Sequence, residues 1–193
     1  MPRRDDILAA ALAMAEVDGW GSLSMRRLAA SLGMSMAELR AEFRDGDAIA
    51  DAWFRRARDA MLAPTPKRFM GLPAKQRLRV LMLRWFDELA PYRRVTAEML
   101  GAKTWLFHPH HYVPMVFHLS RLIQSLRDAA GLDAGGRRRQ VEEVGLTALF
   151  LGALACWCRD GSDGQERTRR FLDRRLCQAD ELMARCRPGK EKT

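Results

Sequence analysis

Apolar positions recur at helical spacing along almost the whole chain. Ile7, Leu8, Ala11, Leu12 and Ala15 form one face of a helix from about Arg3 to Asp18, and Gly19 stops it. Trp20 stands where it plugs the small core shared with the next two helices. The second helix, about Met25 to Leu32, sets Leu28, Ala29 and Leu32 on one side. Gly33 follows, free to take the left-handed conformation that closes a helix. Ser35 opens a third helix of barely two turns that ends near Phe43, and Glu38 completes a capping box with it. A helix, a tight Gly turn and a short capped helix make a helix-turn-helix, a device that sets side chains in a DNA major groove.

An acidic start at Asp45 to Asp47 suits the dipole of a fourth helix running to about Leu62, with Ile49, Trp53 and Phe54 turned inward. Pro64, Pro66, Gly71 and Pro73 mark a break. Beyond it, Lys75 to Leu89 is predicted as a fifth helix, ended or kinked by Pro91, and residues 92–103 as a shorter sixth. Trp105 to Pro114 reads as a rigid aromatic turn. The seventh helix spans about Val113 to Ala130, the eighth and most apolar about Gln140 to Cys158, and the ninth about Gln165 to Arg185. The fold class is all-α, with nine helices. The boundaries give a head over 1–63, a body over 64–187 and a flexible tail over 188–193.

Composition supports this reading. Apolar residues make up 48% of the chain and Asn is absent, which favours a packed helical core over disorder. No uninterrupted apolar run approaches the ~18 residues of a membrane span. The opening MPRRDD lacks the apolar core of a secretory signal, so a cytoplasmic location is expected. Cys156, Cys158, Cys177 and Cys186 form no zinc pattern. They are expected to be reduced thiols, three of them in packing.

Charge complicates the picture. The net charge of +9 points to nucleic acid or an anionic membrane. Residues 1–60 nevertheless carry nine Arg against ten Asp and Glu, net −1, whereas residues 61–193 carry 24 basic against 14 acidic residues, net +10. The helix-turn-helix end is not the basic end.

Candidate sites follow from the pattern. Ser35, Met36, Ala37, Glu38 and Arg40 face DNA if the third helix is a reading helix, with Arg40 and Arg44 able to meet guanine edges or phosphates. Arg3 and Arg4 are placed as an N-terminal arm toward phosphates. All four histidines, His108, His110, His111 and His118, fall within eleven residues. No Asp, Glu or Cys lies nearby at ligand spacing, so a polar pocket rim is expected there rather than a metal site. Trp85, Met99, Trp105, Phe107, His108, Met115, His118, Phe150 and Trp157 are the candidate walls of an apolar ligand pocket, as against ordinary core. Gly145, Ala148, Gly152 and Ala155 form a small-residue stripe on the eighth helix. With Phe171, Leu172 and Leu176 on the last helix it fits a symmetric four-helix dimer interface, as against intrachain packing. Arg137 to Arg139, Arg167, Arg169, Arg170, Arg174 and Arg175 form a basic concentration: a solvated face, or a contact for anionic lipid. No phosphate loop, HExxH or Ser nucleophile motif is present, no cofactor is expected, and an enzyme is the least supported class.

Two resemblances sharpen these readings. The stretch ILAAALAMAEVDGWGSLSMRRLAASLGMSMAELRAEFRDGDAI resembles the TetR family of one-component regulators. Gly19, Ser24, Arg26, Leu28, Ala29, Gly33, Met34, Ser35, Leu39 and Phe43 fall at matching places. The resemblance implies a nine-helix subunit with a DNA-binding head, where Ser24 and Arg26 join the DNA-facing set, and a ligand-sensing body paired through its last two helices. The sequence departs from the family at Met36, Arg40, Glu42 and Gly46. The segment DGSDGQERTRRFLDRRL, after LFLGALACWC, resembles the TetR-fold lipid-binding auxiliary proteins of ubiquinone biosynthesis. That implies an isoprenoid lipid presented to a quinone-biosynthesis enzyme at a membrane surface, without DNA binding. The expected function is therefore a ligand-responsive homodimeric repressor that binds a double-stranded operator and a small apolar effector. The alternative is the lipid-binding accessory protein. A metal-dependent enzyme built on the histidines is a third class.

Overall fold

The structure is a computed structural model that describes residues 3–103 and 112–185. Among the described residues there are nine α-helices and no strand. They are α1 (Arg4–Asp18), α2 (Met25–Ser31), α3 (Met36–Glu42), α4 (Gly46–Met61), α5 (Ala74–Leu89), α6 (Arg93–Lys103), α7 (Tyr112–Ala129), α8 (Gly136–Cys158) and α9 (Glu166–Arg185). Short 3-10 turns lie at Trp20–Ser22, Lys67–Gly71, Ala90–Tyr92 and Asp163–Gln165. The described residues form two compact units, one within 3–60 and 85–118 and the other within 61–84 and 119–185. The tail over 188–193 and Cys186 lie outside the described residues.

In the first unit the apolar faces read from the sequence are the buried ones. Ile7, Leu8, Ala11, Leu12 and Ala15 of α1 are buried, as are Leu28, Ala29, Leu39 and Phe43. From α4, Ile49 and Trp53 join them, while Phe54 is half-buried and stacks on Trp85. The Trp53 indole N–H donates to the buried Thr96 hydroxyl at 2.9 Å, and that hydroxyl donates to the Tyr92 carbonyl. Trp20 differs from expectation. It is half-buried in a 3-10 turn rather than plugged into the core, and its backbone N–H donates to Glu98 at 2.6 Å.

The second unit holds two buried charged groups that helical periodicity passes over. Arg127, 2% exposed, donates to the carbonyls of Leu132 and Ala134 and to the carboxylates of Glu142 and Glu143. A buried guanidinium needs that much pairing to offset its desolvation. The same carboxylates take Arg138 and Arg139 one turn back. These pairs draw the RRRQ segment into α8, which starts at Gly136 rather than near Gln140. Pro114 likewise falls within the first turn of α7, not in a preceding turn. Over an 18-residue window α8 has a mean hydropathy of 1.5, long and apolar enough to cross a membrane by composition alone. Glu142 and Glu143 interrupt that stretch, so the apolar run itself is shorter.

Asp160, also 2% exposed, follows α8 and accepts four hydrogen bonds: from the N–H and hydroxyl of Ser162 and from the N–H and hydroxyl of Thr168. Ser162 Oγ in turn accepts from the Arg167 N–H. Together they cap the first turn of α9. Burial works against ionisation of Asp160, but the hydrogen bonds outweigh it and hold the carboxyl well below the ordinary Asp range. Cys156 and Cys158 are half-buried and free, and burial pushes the Cys158 thiol up; Cys177 is exposed, so it is not a packing residue.

A folded-state carboxyl held low contributes stability that is complete above the unfolded Asp value near 3.9 and is lost as pH falls toward the folded value. Asp160→Asn should therefore cost about 1.5–3 kcal/mol in denaturant unfolding at pH 7. The gap from the parent should narrow below about pH 4. A pH-independent gap would show that the carboxylate charge is not what the cap uses.

Candidate nucleic-acid interface

The turn between α2 and α3 is built from local hydrogen bonds. The Met34 N–H donates to the Ala29 carbonyl at 2.9 Å and the Gly33 N–H to the Ala30 carbonyl at 3.2 Å. This is a Schellman closure, and it places Gly33 at φ +65°. Met34 is buried beneath the turn. Ser35 Oγ accepts from the Glu38 N–H at 3.2 Å, and Glu38 Oε2 accepts from the Ser35 N–H at 2.7 Å, which completes the capping box. Ser24 caps α2 in the same way, its hydroxyl accepting from the Arg27 N–H at 3.4 Å. The result is a short α3 held by Leu39 and Phe43 below and open to solvent above.

Charge on this surface is sorted by pairing. The Ser35 amide and hydroxyl hold the Glu38 carboxyl below its ordinary value, so it is ionised and already occupied. Glu42 is neutralised by Arg4, whose Nη1 lies 3.8 Å from its carboxylate and donates to its carbonyl at 2.6 Å. The Arg4 guanidinium also sits 4.1 Å from the centre of the Phe43 ring. Arg4 is therefore not a free N-terminal arm but a clasp across the end of α3. Arg3, by contrast, is highly exposed, and only its backbone N–H makes a close bond, to Asp6 at 2.8 Å. Arg27 pairs with Asp18 at 2.7 Å and Arg44 with Asp45 at 2.7 Å, which raises the Arg44 value further. Arg26 and Arg40 are exposed and make no hydrogen bond or ion pair among the described residues. Ser35 and Ala37 are exposed beside them; Met36 is half-buried and only partly available to a ligand.

Sequence reasoning missed what anchors the start of the helix-turn-helix. Arg94 of α6 donates to the carbonyls of Ala15 and Glu16 at the carboxyl end of α1 and to Glu98 at 2.8 Å. Glu98 accepts the Trp20 N–H. The last carbonyls of α1 and the first amide of the following turn are thus both satisfied by α6. The partners stand 78 and 79 residues apart, so no local pattern could have revealed them.

The other sequence-predicted residues are distributed as follows. Trp85 and Met99 are buried in the first unit, Phe150 and Trp157 in the second, and His118 is exposed. The Trp157 indole N–H donates to Gln165 at 2.5 Å. Trp105, Phe107, His108, His110 and His111 lie outside the described residues, as does the side chain of Met115. No group of metal-binding side chains occurs among the described residues. On α8, Gly145, Ala148 and Ala155 are exposed, but Gly152 is spent within the chain: a Cβ there would stand 3.1 Å from the Phe171 ring. Leu172 and Leu176 are buried within the chain.

No protein-family model matches the sequence, and no curated protein matches it either. Solved structures do. The chain is similar to a TetR transcriptional regulator from Nitrosomonas europaea, with 37% identity and a TM-score of 0.83 over 93% of this chain and 98% of that one. The TetR family regulator PfmR from Thermus thermophilus aligns over 89% and 97% of the two chains at 20% identity and a TM-score of 0.56. Mycobacterium smegmatis AmtR aligns over 91% and 86% at 22% identity and a TM-score of 0.54.

The geometry makes Gly33 a test of the turn. A Cβ there meets open space, so the cost of Gly33→Ala is purely conformational. It should be about 1–2 kcal/mol by thermal or denaturant unfolding, and Gly33→Asn should cost less. Equal stability of all three proteins would contradict the left-handed closure.

Proposed function

The chain belongs to the TetR family of transcriptional regulators, which are not enzymes, and from that premise we propose that it is a DNA-binding repressor, homodimeric and released from its operator by a small apolar ligand. One observation carries the DNA reading. The capped α2–α3 pair presents an outward face on which the acidic groups are internally held and Arg26 and Arg40 are unpaired among the described residues. Residues 1–63 act as the reading head and residues 64–187 as the ligand-binding and pairing body, working in the cytoplasm.

Pairing is supported by α8. Only 22% of its apolar window is buried within the chain. Val141, Val144, Gly145, Ala148, Leu151 and Ala155 form an exposed stripe at spacings of three and four, and Val144 is 71% exposed. So continuous an apolar face calls for cover, and a second copy supplies a self-complementary one. The effector acts by binding one of two arrangements of the paired heads more tightly, so operator affinity falls by that differential. The lipid-carrier alternative is not adopted. The DGSDGQERT segment that suggested it is accounted for by the Asp160 cap of α9, and the similar structures are those of regulators.

The test uses full-length protein and duplex DNA flanking its own gene at a fixed, stated salt concentration. Val144→Glu with Leu151→Glu should yield a monomer by sedimentation and weaken operator binding by a factor of about 10²–10⁴, the gain that linking two half-site contacts provides. If the dimeric protein ignores DNA even at low ionic strength, while extraction of the purified protein yields an isoprenoid lipid, the repressor reading falls and the lipid-carrier reading replaces it.

A further inference from the structure

Resting on that DNA reading, we propose that Arg40 is the base-specifying residue of the head. It reads a guanine that lies beside a thymine methyl met by Ala37 and Ala41, whereas Glu38 and Arg26 read no base. Three observations on α3 carry this.

The first is the arrangement of its outward face. With about 100° between successive residues, Ala37 and Ala41 fall within roughly 40° of each other, opposite the buried Leu39 and Phe43. They form the crest of the exposed face, and Arg40 and Glu38 flank that crest roughly 80° to either side. A crest of two methyl groups lets the helix approach the groove floor closely. The base-edge feature that suits a methyl group is the thymine methyl.

The second is the occupation of the acidic flank. The only acidic group beside the crest, Glu38, has its carboxylate turned back on the Ser35 amide at 2.7 Å. Swinging away from the helix start toward a cytosine amine would give up that bond. Glu42 is held by the Arg4 clasp on the far side of the helix.

The third is the state of the arginines. Arg4, Arg27 and Arg44 each have an acidic partner. Arg40 is exposed, unpaired among the described residues, and stands on the same helix as the crest. Its forked donors match the two acceptors of a guanine edge. Arg26 is equally unpaired but lies on α2, the helix that crosses the backbone in such a pair, where phosphate is the partner within reach.

Selection from a randomised duplex library with the full-length protein, followed by single-base substitutions in the selected site, tests the assignment. Wild-type protein should select half-sites with a guanine next to a thymine, and changing that guanine to adenine should weaken binding roughly 5- to 150-fold. Arg40→Ala and Arg40→Lys should both lose that preference. Arg40→Lys keeps the charge and should hold its non-specific affinity. Arg26→Ala should weaken all duplexes alike and lower the salt slope by about one. Both sites are exposed, and unchanged melting temperatures confirm folding. If Arg40→Ala weakens every duplex equally, Arg40 is a phosphate contact and this inference is overturned while the repressor reading stands. If no duplex is selected at low ionic strength, the repressor reading itself fails and takes this inference with it.

Discussion

The carboxylate of Glu38 closes back on the Ser35 amide, and much of what the head offers follows from that hydrogen bond. It sets where α3 begins, because the amide ahead of the first turn has no carbonyl of its own to meet. It also ties that anion to the start of the helix, where the carboxylate stays ionised. A carboxylate left facing a phosphate about 7 Å away would be repelled by about 0.6 kcal/mol in bulk water, and more where water is excluded. Arg4 performs the matching task at the other end of α3, covering Glu42 while its guanidinium rests on Phe43. Both ends of a seven-residue helix are thereby fixed by its acidic side chains, one bonded to an amide and the other paired with an arginine.

This pairing resolves the awkward charge count. Residues 1–60 sum to −1, yet that sum treats the segment as if its counterions lay within it. Glu16 takes Arg94 from α6, and Arg56 gives its charge to Glu88 of α5. Within the segment, Asp18, Glu42, Asp45 and Asp59 each hold an arginine. What matters for a ligand is the charge without an opposite partner on one face, and among the described residues of α2 and α3 that is Arg26 and Arg40 against the one carboxylate of Glu38. A segment total is a poor guide to a surface potential when most of its charges are partners of one another.

The same distinction decides what the sequence could reveal. The Gly33 closure and the Ser35–Glu38 box were legible because every partner lies within five residues. Helix faces were legible because burial follows the 3.6-residue period, as Ile7 to Ala15 and Leu28 to Phe43 illustrate. Arg94, Glu98 and the Arg4 clasp were not, since their partners stand 38 to 79 residues away. Trp20 misled because its size suggested a core plug, whereas the turn it occupies uses its amide. In the sequence Asp160 stands only at the head of the DGSDGQERTRRFLDRRL segment. Its role as a cap depends on Thr168 folding back eight residues later, which a motif resemblance could easily be mistaken to explain.

The body carries a second consequence of local commitment. Gly152 receives the Phe171 ring, so the separation of α8 and α9 is fixed within one chain before any partner arrives. Arg127 pins the amino end of α8 by holding Glu142 and Glu143 together with the carbonyls of the preceding loop. Val141, Val144 and Leu151 stay exposed outside that packing among the described residues. In the proposed dimer the close approach then runs through Gly145, Ala148 and Ala155, with Val144 and Leu151 supplying the area.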